Sequence, residues 1–287
     1  MLEKKIFWIA SYPKSGNTWM RSIISSLFYT NDGNFDFSIL KNIELIDIPK
    51  NYNFVKNVDF NNINEISKHR IKAQEYVIQK NKNLKFYKTH SANLKIQNFD
   101  YTNPSTSLGL IYLVRDPRDI VVSMSHHQNN SINEIIDIIT NKETVVFAPL
   151  KKYMDPNFPY LIPSHISSWE QNYLSWQLLD VPKLTIDYNN LLMDTENIIK
   201  LIIDFFEKNY NFVFDNKKNI IKNIILSTNF KKLQKKELEY GFAESLESNF
   251  FRSGKSNQWK FVLSNKQQLK IENEFHNTMK KLGYIKI

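Results

Sequence analysis

IFWIASYPKSGNTWMRSIISSLF, residues 6–28, decides how the chain is read. A short apolar run, IFWIA, leads into a turn that holds Pro13 and Gly16. An amphipathic stretch follows, in which Trp19, Met20, Ile23, Ile24, Leu27 and Phe28 share one helical face. A strand, a glycine-bearing turn and a helix together aim backbone N–H groups at an anion. Here those groups belong to Ser15, Gly16, Asn17 and Thr18. Gly16 admits a positive φ and a close approach. Lys14 adds a point charge, Ser15 and Thr18 add hydroxyls, and Trp19 stands where its ring can stack on a base. The lysine precedes the glycine, the reverse of the nucleotide loop G-x-x-x-x-G-K-[ST]. An ordinary βα turn with a surface lysine and a core tryptophan would use the same residues.

Outward from this stretch, three further apolar runs read as buried parallel strands, at residues 84–88, 110–114 and 184–187. Helical patterns separate them. Asp194 and Thr195 offer a cap to ENIIKLIIDFFEKN, residues 196–209. Ser264 and Gln267 form a capping box before Ile271, Phe275, Met279 and Leu282, which line one face. Alternating strands and helices predict an α/β fold, a single domain over 1–287 with a central, mainly parallel sheet flanked by helices. The irregular stretches 31–67 and 129–163 read as insertions or lids on that domain.

The 287 residues are 42% hydrophobic, enough for a large core. Zero cysteines exclude disulfides and thiolate metal sites. No apolar run approaches the roughly 18 residues that span a bilayer. No signal-peptide pattern opens the chain, so a soluble, cytoplasmic protein without a membrane span is expected. A net charge of +9 fits nucleic-acid binding, a site for small anions, or a solvated basic surface. The basic residues are dispersed, and aromatic residues are not interleaved with them as in RNA-binding modules, so no nucleic-acid partner is expected. Only six glycines occur, and two of them, Gly16 and Gly254, fall in candidate anion loops.

The second such loop is YLVRDPRDIVVSMSHH, residues 112–127. Arg115 ends a strand, where open α/β sheets bind ligands, and Ser123 follows about two helical turns later. A guanidinium fork with a serine hydroxyl suits a second, separate phosphate. FYKTHSANL, residues 86–94, sets Lys88 and His90 on one face of an extended strand. His90 titrates near neutrality and is a candidate general base. FFRSGKSNQWK, residues 250–260, is a third glycine-bearing basic turn.

SYPKSGNTW closely resembles the 5′-phosphosulfate loop of the cytosolic-type sulfotransferases, T/S-Y-P-K-S-G-T/N-T-W. That family uses 3′-phosphoadenosine 5′-phosphosulfate (PAPS) as donor and releases adenosine 3′,5′-bisphosphate (PAP). The resemblance runs from about residue 6 to 262. It implies a P-loop-like donor loop after the first strand, formed by Lys14, Ser15, Gly16, Asn17, Thr18 and Trp19. Arg115 and Ser123 would grip the 3′-phosphate, joined by Arg252, Ser253 and Gly254. In the third motif Ser253 stands for a family lysine, Asn257 for a glycine and Gln258 for an aspartate; Lys255 is the residue that could restore the lost charge.

TIDYNNLLMDTENI, residues 185–198, implies Tyr188 at the adenine edge. STNF, residues 227–230, implies Thr228 near the base and Phe230 on the ring face opposite Trp19. K-T-H implies His90 as general base, with Lys88 and Lys14 at the transferring sulfonate and no metal.

The implied reaction is in-line sulfonate transfer from PAPS to a hydroxyl or amine of a small-molecule acceptor. The acceptor pocket would be built from the two irregular segments and the aromatics around Trp169; Tyr153, Phe158 and Tyr160 fit an apolar or ring-bearing acceptor or, equally, lid packing, and His126, His127 or His165 would face the pocket. The family's dimer segment matches only at Lys260, which leaves monomer or homodimer open. Competing readings are an ATP-dependent P-loop kinase, which the order of Lys14 and Gly16 disfavours, and a basic nucleic-acid module.

Overall fold

The computed structural model describes residues 5–80, 84–146, 162–242, 244–245 and 250–285. Among them the strands are β1 (Ile6–Ser11), β2 (Glu44–Leu45), β3 (Lys85–Thr89), β4 (Ser107–Val114), β5 (Val145–Val146), β6 (Ser164–His165) and β7 (Lys183–Asp187). The helices begin with α1 (Asn17–Tyr29), α2 (Ile63–Ser67), α3 (Arg70–Lys80), α4 (Pro117–Gln128) and α5 (Ile132–Thr140). They continue with α6 (Trp169–Gln177), α7 (Tyr188–Met193), α8 (Thr195–Tyr210) and α9 (Lys217–Thr228). Last come α10 (Phe230–Tyr240), α11 (Trp259–Val262), α12 (Asn265–Glu274) and α13 (His276–Lys281).

Five strands make one parallel sheet in the order β2-β3-β1-β4-β7. The four apolar runs of the sequence are β1, β3, β4 and β7. The edge strand β2 is a correction. The segment 31–67 is more than a lid, because Glu44 and Leu45 pair with Tyr87 and Lys88 and extend the sheet. β5 and β6 pair antiparallel, apart from it.

Side chains alternate across a strand, so each strand serves two cores. Ile6, Trp8 and Ala10 of β1 pack with Ile120, Ile135, Trp169 and Ile271 from α4, α5, α6 and α12. Phe7 and Ile9 pack on the other face with Ile23 and Ile24 of α1, Ile199 and Ile202 of α8, and Ile224 of α9. The result is one α/β domain of three layers. Trp8, Phe7 and Ile9 are fully buried, and each such side chain contributes about 1.5–3 kcal/mol.

The caps follow from the sequence. Asp194 accepts from the Asn197 N–H at 3.0 Å, and the Ser264–Gln267 box is closed in both directions. The apolar face 271–282 divides between two helices, α12 and α13, at Phe275, whose φ of −111° leaves the helical region. Ile271, Phe275 and Met279 still reach the same core.

The chain passes from β3 to β4 across β1. The turns after β1, β3 and β4 therefore converge at the carboxyl edge of the sheet, where such folds open a crevice.

Candidate active site

A cavity of about 580 Å³ opens at that edge. Lys14, Arg115 and Arg252 bring three cations to it, Trp19, Tyr188 and Phe230 three aromatic rings, and Lys88, His90 and Glu244 three titratable groups.

The first loop is shaped by its backbone. Lys14 has φ 66° and Gly16 φ 97°, both in the left-handed region. A Cβ at Gly16 would stand 2.7 Å from Cδ2 of Tyr188, so glycine is required twice over, by conformation and by the neighbouring ring. Helix α1 starts at Asn17 with no side-chain cap. Its first N–H groups are therefore left for a ligand.

Arg115 ties the loops together. It donates through Nη1 to the Lys14 carbonyl at 2.8 Å and through Nη2 to the Lys255 carbonyl at 3.0 Å. Its guanidinium lies 4.3 Å from the centre of the Tyr188 ring. The Arg115 carbonyl in turn accepts from the Trp169 indole N–H at 3.1 Å. Two carboxylates seat the third loop. Asp119 on α4 accepts from the N–H of Asn257 at 2.7 Å and of Trp259 at 3.2 Å. Glu237 on α10 accepts from the N–H of Phe250 at 2.6 Å and of Phe251 at 2.9 Å. Gly254, at φ +60°, lets the Phe230 ring approach, since a Cβ there would meet Cδ2 at 2.4 Å.

Lys14 records the charge imbalance of this arrangement. Burial first, then Arg115 and Arg252, lower its pKa to about 8. Arg115 keeps a buried Nε without a hydrogen-bond partner. Positive charge crowded onto a partly apolar wall fits an anionic ligand carrying more than one phosphate-like group.

His90 lines the cavity, with Nδ1 2.9 Å from the Ser11 carbonyl oxygen. A carbonyl only accepts, so Nδ1 carries the proton and donates, and Nε2 keeps the lone pair. Burial and then Lys88 lower the pKa of His90 to about 4. The ring is thus neutral at pH 7 and able to take a proton at Nε2. Asn172 fixes the backbone here by donating to the His90 carbonyl at 2.9 Å.

Lys88 is buried and donates to Glu244 Oε1 at 2.7 Å. Arg21, fully buried on α1, donates to the same oxygen at 2.7 Å. Burial opposes the charge on Glu244, but Arg21 and Lys88 outweigh it and hold the carboxyl far below the usual range. Breaking a buried pair of this kind costs about 3–5 kcal/mol.

Most of the expected residues meet at the cavity. Lys14, Gly16, Asn17, Thr18, Trp19, Lys88, His90, Arg115, Ser123, Tyr188, Phe230 and Arg252 to Gly254 all line it. Trp19 and Tyr188 meet edge-on, 6.2 Å between centroids.

Several side chains are engaged away from the cavity. Thr228 is fully buried, and its hydroxyl donates to the Ile224 carbonyl at 2.8 Å as an intrahelical bond at the end of α9. The Ser15 side chain is buried under the loop and does not line the cavity. The Asn17 amide turns inward to the Ile9 carbonyl and the Ser11 hydroxyl. Trp169 and Trp176 are core residues, and their indoles hold the carbonyls of Arg115 and Ser91. Of the histidines, His127 lines the cavity, whereas His165 is turned to the Lys142 carbonyl at 3.0 Å. Lys255 is exposed and lends the site only its carbonyl. Tyr153, Phe158 and Tyr160 lie outside the described residues.

Glu244, Arg21 and Glu237 were not expected. Glu244 meets Arg21 and Lys88 across 223 and 156 residues, and Glu237 meets the third loop across 13 and 14, so no motif marks them. Among the described residues no cluster of three or more His, Asp or Glu could hold a metal, and no helix is long and apolar enough to cross a membrane.

A sulfotransferase-domain family model matches residues 4–283, and the chain belongs to the sulfotransferase family. It is an enzyme of that class. It is 23% identical to flavonol 3-sulfotransferase of Flaveria bidentis over 275 residues, 92% of this chain and 78% of that protein. With sulfotransferase 1B1 of Canis lupus familiaris it shares 24% over 278 residues, 92% and 80% of the two chains. The fold matches mouse sulfotransferase SULT7A1 complexed with PAP at a TM-score of 0.58 and 17% identity, covering 96% of this chain and 84% of that one. It also matches retinol dehydratase in complex with androsterone and inactive cofactor PAP, at 0.61 and 17%, covering 98% and 82%.

Proposed function

We propose that the protein transfers a sulfonate group from PAPS to a hydroxyl or amine of a small molecule, with His90 as general base. The convergence of Lys14, Arg115, Arg252 and the uncapped start of α1 on one cavity, beside His90 and Lys88, supports this reading most directly. Lys14 and the α1 amides would hold the 5′-phosphosulfate. Arg115, Ser123 and Arg252 would hold the 3′-phosphate, and Trp19, Tyr188 and Phe230 would enclose the base. The donor supplies an activated sulfonate on a phosphate leaving group. This chain's residues align the acceptor, neutralise charge and take the proton at His90 Nε2. Such transfer needs no metal when lysines supply the charge.

The reading is tested by titration calorimetry with PAP and with 5′-AMP in metal-free buffer, and with ATP plus Mg²⁺. PAP should bind at least about tenfold more tightly than 5′-AMP, since one charge-assisted contact is worth about 1.5–3 kcal/mol. Equal binding of PAP and 5′-AMP, or a marked preference for ATP with Mg²⁺, overturns it.

Donor affinity should also depend on pH. In the free protein Lys14 loses its proton around pH 8, and a bound anion favours the protonated form. Binding above pH 8 should therefore take up a proton, and affinity should fall by up to about tenfold per pH unit there. Calorimetry in buffers of different ionisation enthalpy measures that uptake. A flat profile from pH 7 to 10 removes Lys14 from the anion site.

A further inference from the structure

Glu244 is held from behind and holds what lies in front. Arg21, with no exposed surface, fixes it from inside the fold and is itself anchored by donation to the carbonyls of Leu40 at 3.4 Å and Ile43 at 3.0 Å. On the cavity side, Oε1 accepts from Lys88 Nζ at 2.7 Å and Oε2 from the Thr18 hydroxyl at 3.2 Å. Two cavity groups from different elements, β3 and the first turn of α1, are thus set by one carboxylate. The next residue, Ser245, donates its hydroxyl to Glu237, the carboxylate that also grips the N–H groups of Phe250 and Phe251. The same anchor therefore holds the chain beside Glu244 and the start of the third loop.

We propose that Glu244 is a positioning residue for sulfonate transfer, holding the Lys88 ammonium beside His90 and coupling its placement to the seating of the third loop. This rests on the reading of Lys88 and His90 given above. A charge needed only to balance Arg21 would not have to meet Lys88 and Thr18 as well. Both carboxylate oxygens of Glu244 are engaged by Arg21, Lys88 and Thr18, so its effect on turnover passes through the groups it holds, Lys88 first.

Two variants probe this. Glu244→Gln keeps the shape and an accepting oxygen but removes the charge. Glu244→Asp keeps the charge on a side chain one methylene shorter, which cannot meet Arg21 and Lys88 together without movement. The readouts are PAP affinity by calorimetry and the rate of PAP formation from PAPS, with 2-naphthol as acceptor probe and with water alone. Both variants should form PAP about 10–100-fold more slowly at saturating donor, with any loss of PAP affinity smaller than the loss of rate.

The double variant Lys88→Met/Glu244→Gln should be no slower than Lys88→Met, since the second change removes a group whose target is gone. Multiplying losses overturn the proposal, as does a fall in PAP affinity with an unchanged maximal rate. If neither Glu244 variant folds, Glu244 is a counter-ion for Arg21 and the proposal falls. A wild type that binds PAP no more tightly than 5′-AMP overturns the parent reading instead, before any variant is compared.

Discussion

Replacing His90 with alanine is expected to lower kcat by about 10²–10⁴-fold while leaving PAP affinity unchanged. The expectation follows from one contact. Nδ1 is committed to the Ser11 carbonyl, so the ring offers a single basic nitrogen to the cavity. His90→Asn is the sharper variant, because its amide can still donate to that carbonyl yet cannot accept the acceptor's proton. Equal losses in the two variants assign the defect to the missing base; retained activity in His90→Asn assigns it to loop geometry. Nitrogen-detected NMR adds a pH readout. The free protein should show His90 titrating near pH 4, below the ordinary histidine range, because burial and Lys88 disfavour imidazolium. Bound PAP brings negative charge and should raise that value. A value near 6.5 in the free protein contradicts the desolvated placement beside Lys88.

Arg115→Ala should weaken PAP binding by about 10²-fold, and Arg115→Lys should recover little of it. Charge-assisted hydrogen bonds are worth about 1.5–3 kcal/mol each, and a planar fork cannot be copied by an ammonium. The loss also reaches the protein itself, because the guanidinium joins the Lys14 and Lys255 carbonyls across the site. Calorimetry on the folded variant checks the affinity. A loss smaller than about fivefold, equal to about 1 kcal/mol, makes Arg115 a loop staple without a ligand role.

The parallel strands were legible because a strand buried on both faces must be apolar throughout, as IFWIA and the run at 110–114 are. β2 was not, because two residues at a sheet edge carry no periodicity. The cavity-lining residues were legible where chemistry is local, as in the loop 12–18, where glycine, lysine and hydroxyls serve one backbone turn. At Thr228 the sequence does not show which partner the hydroxyl takes. Its type matches, but a hydroxyl at a helix end has the Ile224 carbonyl within reach and takes it. Glu244 shows another limit. It stands 156 residues from Lys88 and 223 from Arg21, and only the folded chain brings the three together.

The indole of Trp169 hydrogen-bonds the Arg115 carbonyl while its ring is packed with Ile271 and Phe275 in the interior. The back wall of the anion pocket and the hydrophobic core are therefore the same object. The wall of the cavity has no melting transition apart from that of the interior, so a ligand held there binds the native state alone and should raise the melting temperature as its concentration rises.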